Sequence, residues 1–195
     1  MNFLAHIYLS GNNKDLIIGN FIADAIRGNH YSEYSEGIIK GIKLHRKIDT
    51  FTDNHPIVEK SKSRVRKNFS KYSGVVIDIY YDHFLAKNWQ NYSEIPLLDF
   101  THQIYELLLR EYDTLPELVH QFLPHMIAGN WLYNYGNLDG MDRVFQGMSR
   151  RAKFYSNMEN AVDVLKEEYD FIKNDFELFF PELKSYVNTL IEAEK

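Results

Sequence analysis

The chain has 195 residues, enough for one domain with a sizeable core. Its 45% hydrophobic and 25% charged composition is that of a globular protein, not a disordered one. A net charge of -5 argues against a general nucleic-acid binder. The lack of cysteine excludes disulfides and thiolate metal sites.

Any metal must therefore be held by His, Asp, Glu or Asn, donors that suit Mn²⁺, Mg²⁺ or Fe²⁺. The 14 Tyr and 13 Phe predict a core filled by rings. The N-terminal stretch lacks the charged-then-apolar pattern of a signal peptide. No apolar run approaches the ~20 residues of a membrane span. A soluble cytoplasmic protein is expected, with neither membrane nor nucleic acid as partner.

Residues 2–9 form a short apolar segment interrupted by His6, and Ser10-Gly11-Asn12-Asn13 is a turn cluster. A helix is predicted from Lys14 to Arg27, with Ile17, Asn20, Phe21 and Asp24 on one face and Gly28-Asn29 as its stop. After a polar connection at 30–36, a helix over 37–52 places His45 and Asp49 on one side with Ile38, Ile42 and Ile48. Pro56 starts the next helix, and Asp53 reads equally as its cap or as a site residue. That helix, 56–69, carries Lys60, Lys62, Arg64, Arg66 and Lys67, with Lys71 just beyond, a basic island in an acidic chain.

Val75 to Trp89 begins with β-branched residues, yet its length and i, i+4 spacing favour a helix. It places Asp78 and Asp82 on a stripe with Val75, Leu85 and Trp89. Further helices are predicted over 96–112, 116–133, 139–148 and 156–175. Phe176 to Leu190 closes the chain, with a new helical start at Pro181. With no repeat or domain boundary, the expectation is an all-α, single-domain, compact multi-helix protein.

Asn20, Asp24, His45, Asp49, Asp78 and Asp82 thus lie on apolar stripes of three separate helices, with His6 and Asp53 of similar type nearby. An ionised carboxylate is costly to bury without a partner. A cluster of His and Asp from several helices is how a helical protein holds a hard metal. Such an ion lowers the pKa of bound water and neutralises a phosphoryl oxygen, which suits hydrolysis. Each group also has a plainer reading. His45 with Asp49 could be an intrahelical pair. Asp78 and Asp82 could cap a helix or pair with Arg46, Arg150 or Arg151. His30, His55, His102, His120 and His125 read as surface or satisfied core positions, and Trp131, Tyr133 and Tyr135 as packing. The basic island is either a solvated face or a guide for an acidic partner, to which Arg150, Arg151 and Lys153 could add. Arg46, about 100° around the helix from His45, is a candidate phosphate clamp.

Met-Asn-Phe-Leu-Ala-His at 1–6, Gly-Asn-Phe-Ile-Ala-Asp at 19–24, Gly-Ile-Lys-Leu-His-Arg-Lys-Ile-Asp at 41–49 and Asp-His-Phe-Leu-Ala at 82–86 resemble the acyl carrier protein phosphodiesterase family. Trp131-Leu132 with Tyr135, and Gly147-Met148-Ser149-Arg150-Arg151, continue the match in order.

The resemblance implies hydrolysis of the phosphodiester joining 4′-phosphopantetheine to a serine of holo-acyl carrier protein. It also implies a divalent metal, Mn²⁺ being the usual one, and an HD-domain-like helical fold. The adjacent His-Asp doublet that names the HD domain is missing; only Asp82-His83, in reverse order, is present.

With the family in view, the expected metal residues are His6, Asp24, His45, Asp49 and Asp78. Asp24, Arg46, Asp82 and His83 are expected to act in catalysis. The island of Lys60, Lys62, Arg64, Arg66, Lys67 and Lys71 would meet the strongly acidic carrier protein. The rival readings are an HD-type phosphohydrolase acting on a nucleotide and a non-enzymatic helical interaction module.

Overall fold

A computed structural model describes residues 1–28 and 31–193. His30 and Asn29 lie outside these described residues. Among them every regular element is helical. The α-helices are α1 (Phe3–Leu9), α2 (Lys14–Ile22), α3 (Glu36–Asn54), α4 (Pro56–Phe69), α5 (Ser73–Lys87), α6 (Leu97–Arg110), α7 (Glu117–Ala128), α8 (Trp131–Asn134), α9 (Leu138–Arg151) and α10 (Ala161–Glu192).

The helix at the centre is α5. Val76, Ile77, Ile79, Tyr80, Tyr81, Phe84 and Leu85 are all buried, so its sides are apolar almost all round, as in a helix enclosed by neighbours. Its β-branched start is helical because tertiary burial outweighs the modest propensity cost. It packs against α1, α4 and α10. Around it, rings fill the interior: Tyr81 lies against Phe176 and Phe179, and Phe84 against Phe176.

Two sequence-based boundaries move. The expected helices at 156–175 and 176–190 are one helix, α10, which runs through Pro181 without a new start. Proline removes one intrahelical donor. Here the apolar face of Phe176, Phe179, Phe180 and Leu183 is buried on both sides of it, which holds the axis together. The expected helix 116–133 instead stops at Ala128. Asn130 takes a left-handed conformation, φ 41°, and starts the short α8.

Asp53 does not cap α4. It lies inside α3 and pairs with Lys62 at 2.7 Å. The cap is His55, whose ring accepts the Ile57 N–H while its other nitrogen lies 3.2 Å from Glu182. His102 and His125 are exposed, and His120 stacks on Tyr112.

The closest helix pair is α2 with α3, which cross where Gly19 meets Gly41. A Cβ at Gly41 would lie 2.6 Å from the Leu16 carbonyl oxygen and 2.8 Å from the Gly19 Cα. A Cβ at Gly19 would meet the Ile38 carbonyl closer still. Both obstacles are backbone, so no side chain can swing aside. We expect Gly19→Ala to destabilise the fold by about 3 kcal/mol, measured as a lower urea midpoint. A wild-type midpoint in the variant would contradict the tight crossing.

Candidate functional site

The crossing places residue 20 of α2 against residue 45 of α3, and α1 packs on α2 with its His6 ring stacked on His45. Asn20 is 1% exposed and every hydrogen-bonding atom of its side chain is used. Its amide nitrogen donates to the His6 carbonyl and to Ser10 Oγ, both at 2.9 Å. Its Oδ1 accepts from His6 Nδ1 at 2.8 Å and from His45 Nδ1 at 3.0 Å, and its backbone carbonyl accepts from His45 Nδ1 at 2.8 Å. An amide oxygen cannot donate, so each Nδ1 carries a proton. Both Nε2 atoms are thereby left for other work. The two rings stack with centroids 3.9 Å apart and planes 15° from parallel.

The Nε2 atoms converge on carboxylates. His6 Nε2 lies 3.1 Å from one oxygen of Asp49, and His45 Nε2 lies 3.0 Å from the other and 3.2 Å from Asp24. Ligand atoms of His6, His45 and Asp49 fall within 4.8 Å of one another. Although close to Asp49, the buried His6 Nε2 makes no aligned hydrogen bond. A buried polar atom normally has a partner. An imidazole nitrogen aimed at a carboxylate without bonding to it fits a cation between them. The two Asn20 hydrogen bonds are the outer support that metal-binding histidines usually have.

Electrostatics separate the two rings. Burial, and the charge of nearby His45, lower the His6 pKa to about 4. Burial also opposes charge on His45, but the hydrogen bonds it donates to Asp24 and Asp49 prevail and raise it to about 9. Burial pushes the Asp49 carboxyl up, yet the hydrogen bond with His45 and the nearness of both imidazoles bring it well below the usual range. Asp24 is lowered chiefly by its His45 hydrogen bond.

Asp24 does not lie on the α2 stripe. α2 ends at Ile22, and Asp24 sits on a 3₁₀ turn, Ala23–Ala25, with its side chain 79% exposed. It reaches the cluster from the solvent side. Arg46 donates to the Gly28 carbonyl and lies over the Tyr31 ring, tying α3 to the segment after Asp24.

The other expected site residues face elsewhere. Asp78 takes the amino group of Met1 at 2.8 Å and lies outside the converging ligand atoms. Asp82 is fully buried and accepts the backbone N–H groups of Asn2, Leu4 and Ala5 at 3.2, 2.8 and 3.3 Å. It anchors the first turn of α1, while burial pushes its carboxyl up to about 7. His83 is fully buried, donates to the Tyr135 carbonyl at 2.7 Å and lies 3.1 Å from the Tyr169 hydroxyl. Neither Asp82 nor His83 contributes an atom to the His6, His45 and Asp49 group.

The basic island is largely neutralised by the chain's own acids. Lys60 lies 2.7 Å from the fully buried Asp175, Lys62 pairs with Asp53, Arg64 lies near Glu168 and Asp175, and Arg66 pairs with Glu59. Lys71 lies over the Phe154 ring. Asn20 is the residue that sequence reasoning left out of the site. Its place on the apolar stripe of α2 was the available sign.

An all-helical protein with an imidazole and carboxylate centre is the class that fold and site define. A model of the family described as acyl carrier protein phosphodiesterase matches residues 1–183. The chain is 29% identical over 182 residues to the acyl carrier protein phosphodiesterase of Yersinia pestis, covering 93% of this chain and 94% of that one. It is 30% identical over 184 residues to that of Enterobacter sp. (strain 638), covering 94% and 95%. It is 30% identical over 182 residues to that of Photorhabdus laumondii, covering 93% and 92%. No solved structure matches the chain significantly. The chain belongs to the acyl carrier protein phosphodiesterase family.

The two kinds of acid separate under mutation. Asp82→Ala strands three backbone donors in the interior and is expected to cost about 3 kcal/mol. Asp24→Ala, at an exposed position, should change stability by less than about 1 kcal/mol. Urea denaturation of both variants in chelator checks this. An Asp82→Ala protein as stable as wild type would contradict the anchoring role.

Proposed function

We propose that this protein is a divalent-metal-dependent phosphodiesterase that hydrolyses the 4′-phosphopantetheine–serine phosphodiester of holo-acyl carrier protein, releasing apo-carrier protein and 4′-phosphopantetheine. The observation that carries the reading is the convergence of His6 Nε2, His45 Nε2 and Asp49, in a chain whose family relatives bear that enzyme's name.

His6, His45 and Asp49 would hold the ion, with Asp24 adding a carboxylate from the open side. This set of nitrogen and carboxylate donors suits Mn²⁺, with Mg²⁺ or Fe²⁺ as alternatives. When bound, such an ion supplies Lewis acidity and a water acidified for attack on phosphorus. Asn20 keeps both rings aimed, so little reorganisation is needed on binding. Asp24, hydrogen-bonded at the solvent edge and ionised, is placed to take a proton from water. Arg46 steadies the segment that carries Asp24. We place the reaction in the cytoplasm. No helix among the described residues is long and apolar enough to cross a membrane.

Carrier docking falls to cations with no carboxylate of their own. Of the α4 island that leaves Lys67 and Lys71. Arg150, Arg151 and Lys153, at the end of α9, form no ion pair among the described residues either. At low salt, reversing Arg150, Arg151 and Lys153 to Glu should raise KM for holo-carrier protein at least tenfold. Reversing the paired Lys62 and Arg66 should change it less. The difference should shrink in high salt. Equal effects of the two sets on KM would contradict this assignment.

Incubation with Mn²⁺ and holo-carrier protein, with mass spectrometry of the released arm, tests the function. Turnover of a nucleotide panel without arm release would favour the nucleotide reading. The cation must displace the His45 proton, so its apparent affinity should rise as pH approaches 9 and then level. Titration calorimetry in buffers of different ionisation enthalpy should show about one proton released near pH 7. Asn20→Ala should weaken binding roughly 10–100-fold. Affinity flat across that pH range would count against displacement of the His45 proton.

A further inference from the structure

A cleft of about 270 Å³ is walled by Asn2 and Phe3 of the N-terminal segment, Trp131 of α8 and Val144, Gly147 and Met148 of α9. Phe3 precedes His6 by one turn of α1, so the wall of the cleft and the His6 ligand belong to the same short helix. The volume lies near the lower end of the ~300–1,000 Å³ typical of ligand pockets, which suits a slender chain better than a bulky ring system.

Gly147 is the informative residue. It sits inside α9, where glycine costs about 1 kcal/mol relative to alanine. Yet a Cβ there would meet nothing closer than the mobile tip of Arg151, at 4.0 Å. Helix packing does not require the glycine, unlike Gly19 and Gly41. Its missing side chain leaves the cleft open.

The polar groups in the cleft are few. The Tyr135 hydroxyl accepts from the Asn2 amide at 3.1 Å. Burial keeps that hydroxyl protonated, and no acceptor for its proton is found among the described residues. Arg143 and Arg151 reach the cleft, and neither forms an ion pair among the described residues. Mostly apolar walls with a few polar side chains spaced along them match a linear chain of methylenes and amides.

We propose that this cleft is the subsite for the pantetheine arm of the substrate, with Gly147 keeping it open. This rests on the function proposed above. The scissile phosphate would lie at the cluster, and the arm would pass along the Asn2–Phe3 wall toward Met148. Gly147 and Tyr135 are positioning residues here, and the chemistry stays with the cluster.

The test uses the full chain with pantetheine, the arm without its phosphate, as probe. Calorimetry measures pantetheine binding, and steady-state kinetics measures turnover of holo-carrier protein. Gly147→Leu and, independently, Val144→Trp should weaken pantetheine binding at least tenfold and lower kcat/KM for holo-carrier protein at least tenfold. Mn²⁺ uptake and the thermal midpoint report whether each variant is folded. Wild-type binding and turnover in the two folded variants would overturn the proposal, as would a wild-type protein that does not bind pantetheine. If wild type binds pantetheine through Gly147 but does not cleave holo-carrier protein, the subsite stands and the proposed reaction fails.

Discussion

The site depends on one oxygen atom. Asn20 Oδ1 accepts hydrogen bonds from two buried histidines at once, with its own backbone carbonyl sharing the second. Burying two imidazoles and a carboxamide would be costly if any of their groups went unpaired. Here the Nδ1 sides are satisfied, and both Nε2 atoms are turned toward Asp49. That geometry requires α2 and α3 to approach more closely than side chains permit. The Gly19–Gly41 contact is therefore part of the site, although neither residue touches a ligand atom. The same contact explains two glycines inside helices, where alanine would be favoured if the helices stood alone.

Acid groups on apolar faces proved to have three kinds of environment, which sequence periodicity could not separate. Asp49 meets imidazole nitrogens. Asp82 meets three backbone amides, and the fully buried Asp175 meets Lys60 and Ser61. All three lie in helices, and the spacing shows burial but not what the carboxylate faces. α5 made the distinction harder, because it is apolar on nearly every side and its stripe points to no particular neighbour. The His45 and Asp49 pair was legible because α3 has a clear polar side. Asp24 was legible as a residue but not in its setting, since the 3₁₀ turn after Ile22 takes it off the helical stripe. Asn20 was visible on the stripe, and what hid its role is that a neutral amide gives no charge signal.

Charge counted along the chain misled for a related reason. Lys60 and Asp175 are far apart in sequence and 2.7 Å apart in space. The local basic island is real in composition and largely cancelled by the fold. The helix-rich architecture was readable from periodicity. The places where helices end were less so, because burial of the α10 ring face outweighs the cost of Pro181, while Asn130 ends α7 by a left-handed turn that spacing does not reveal.

Asp82 is better understood through α1 than through catalysis. A seven-residue helix is too short to persist alone. Asp82 satisfies donors at its start, and Leu4, Ala5 and Ile7 seal it into the core. The helix so fixed carries His6 on one turn and Phe3 on the turn before. One buried carboxylate thus positions an imidazole of the candidate centre and one wall of the cleft together. An error in seating α1 would displace both at once, so the acid that sequence reasoning assigned to chemistry serves it through position.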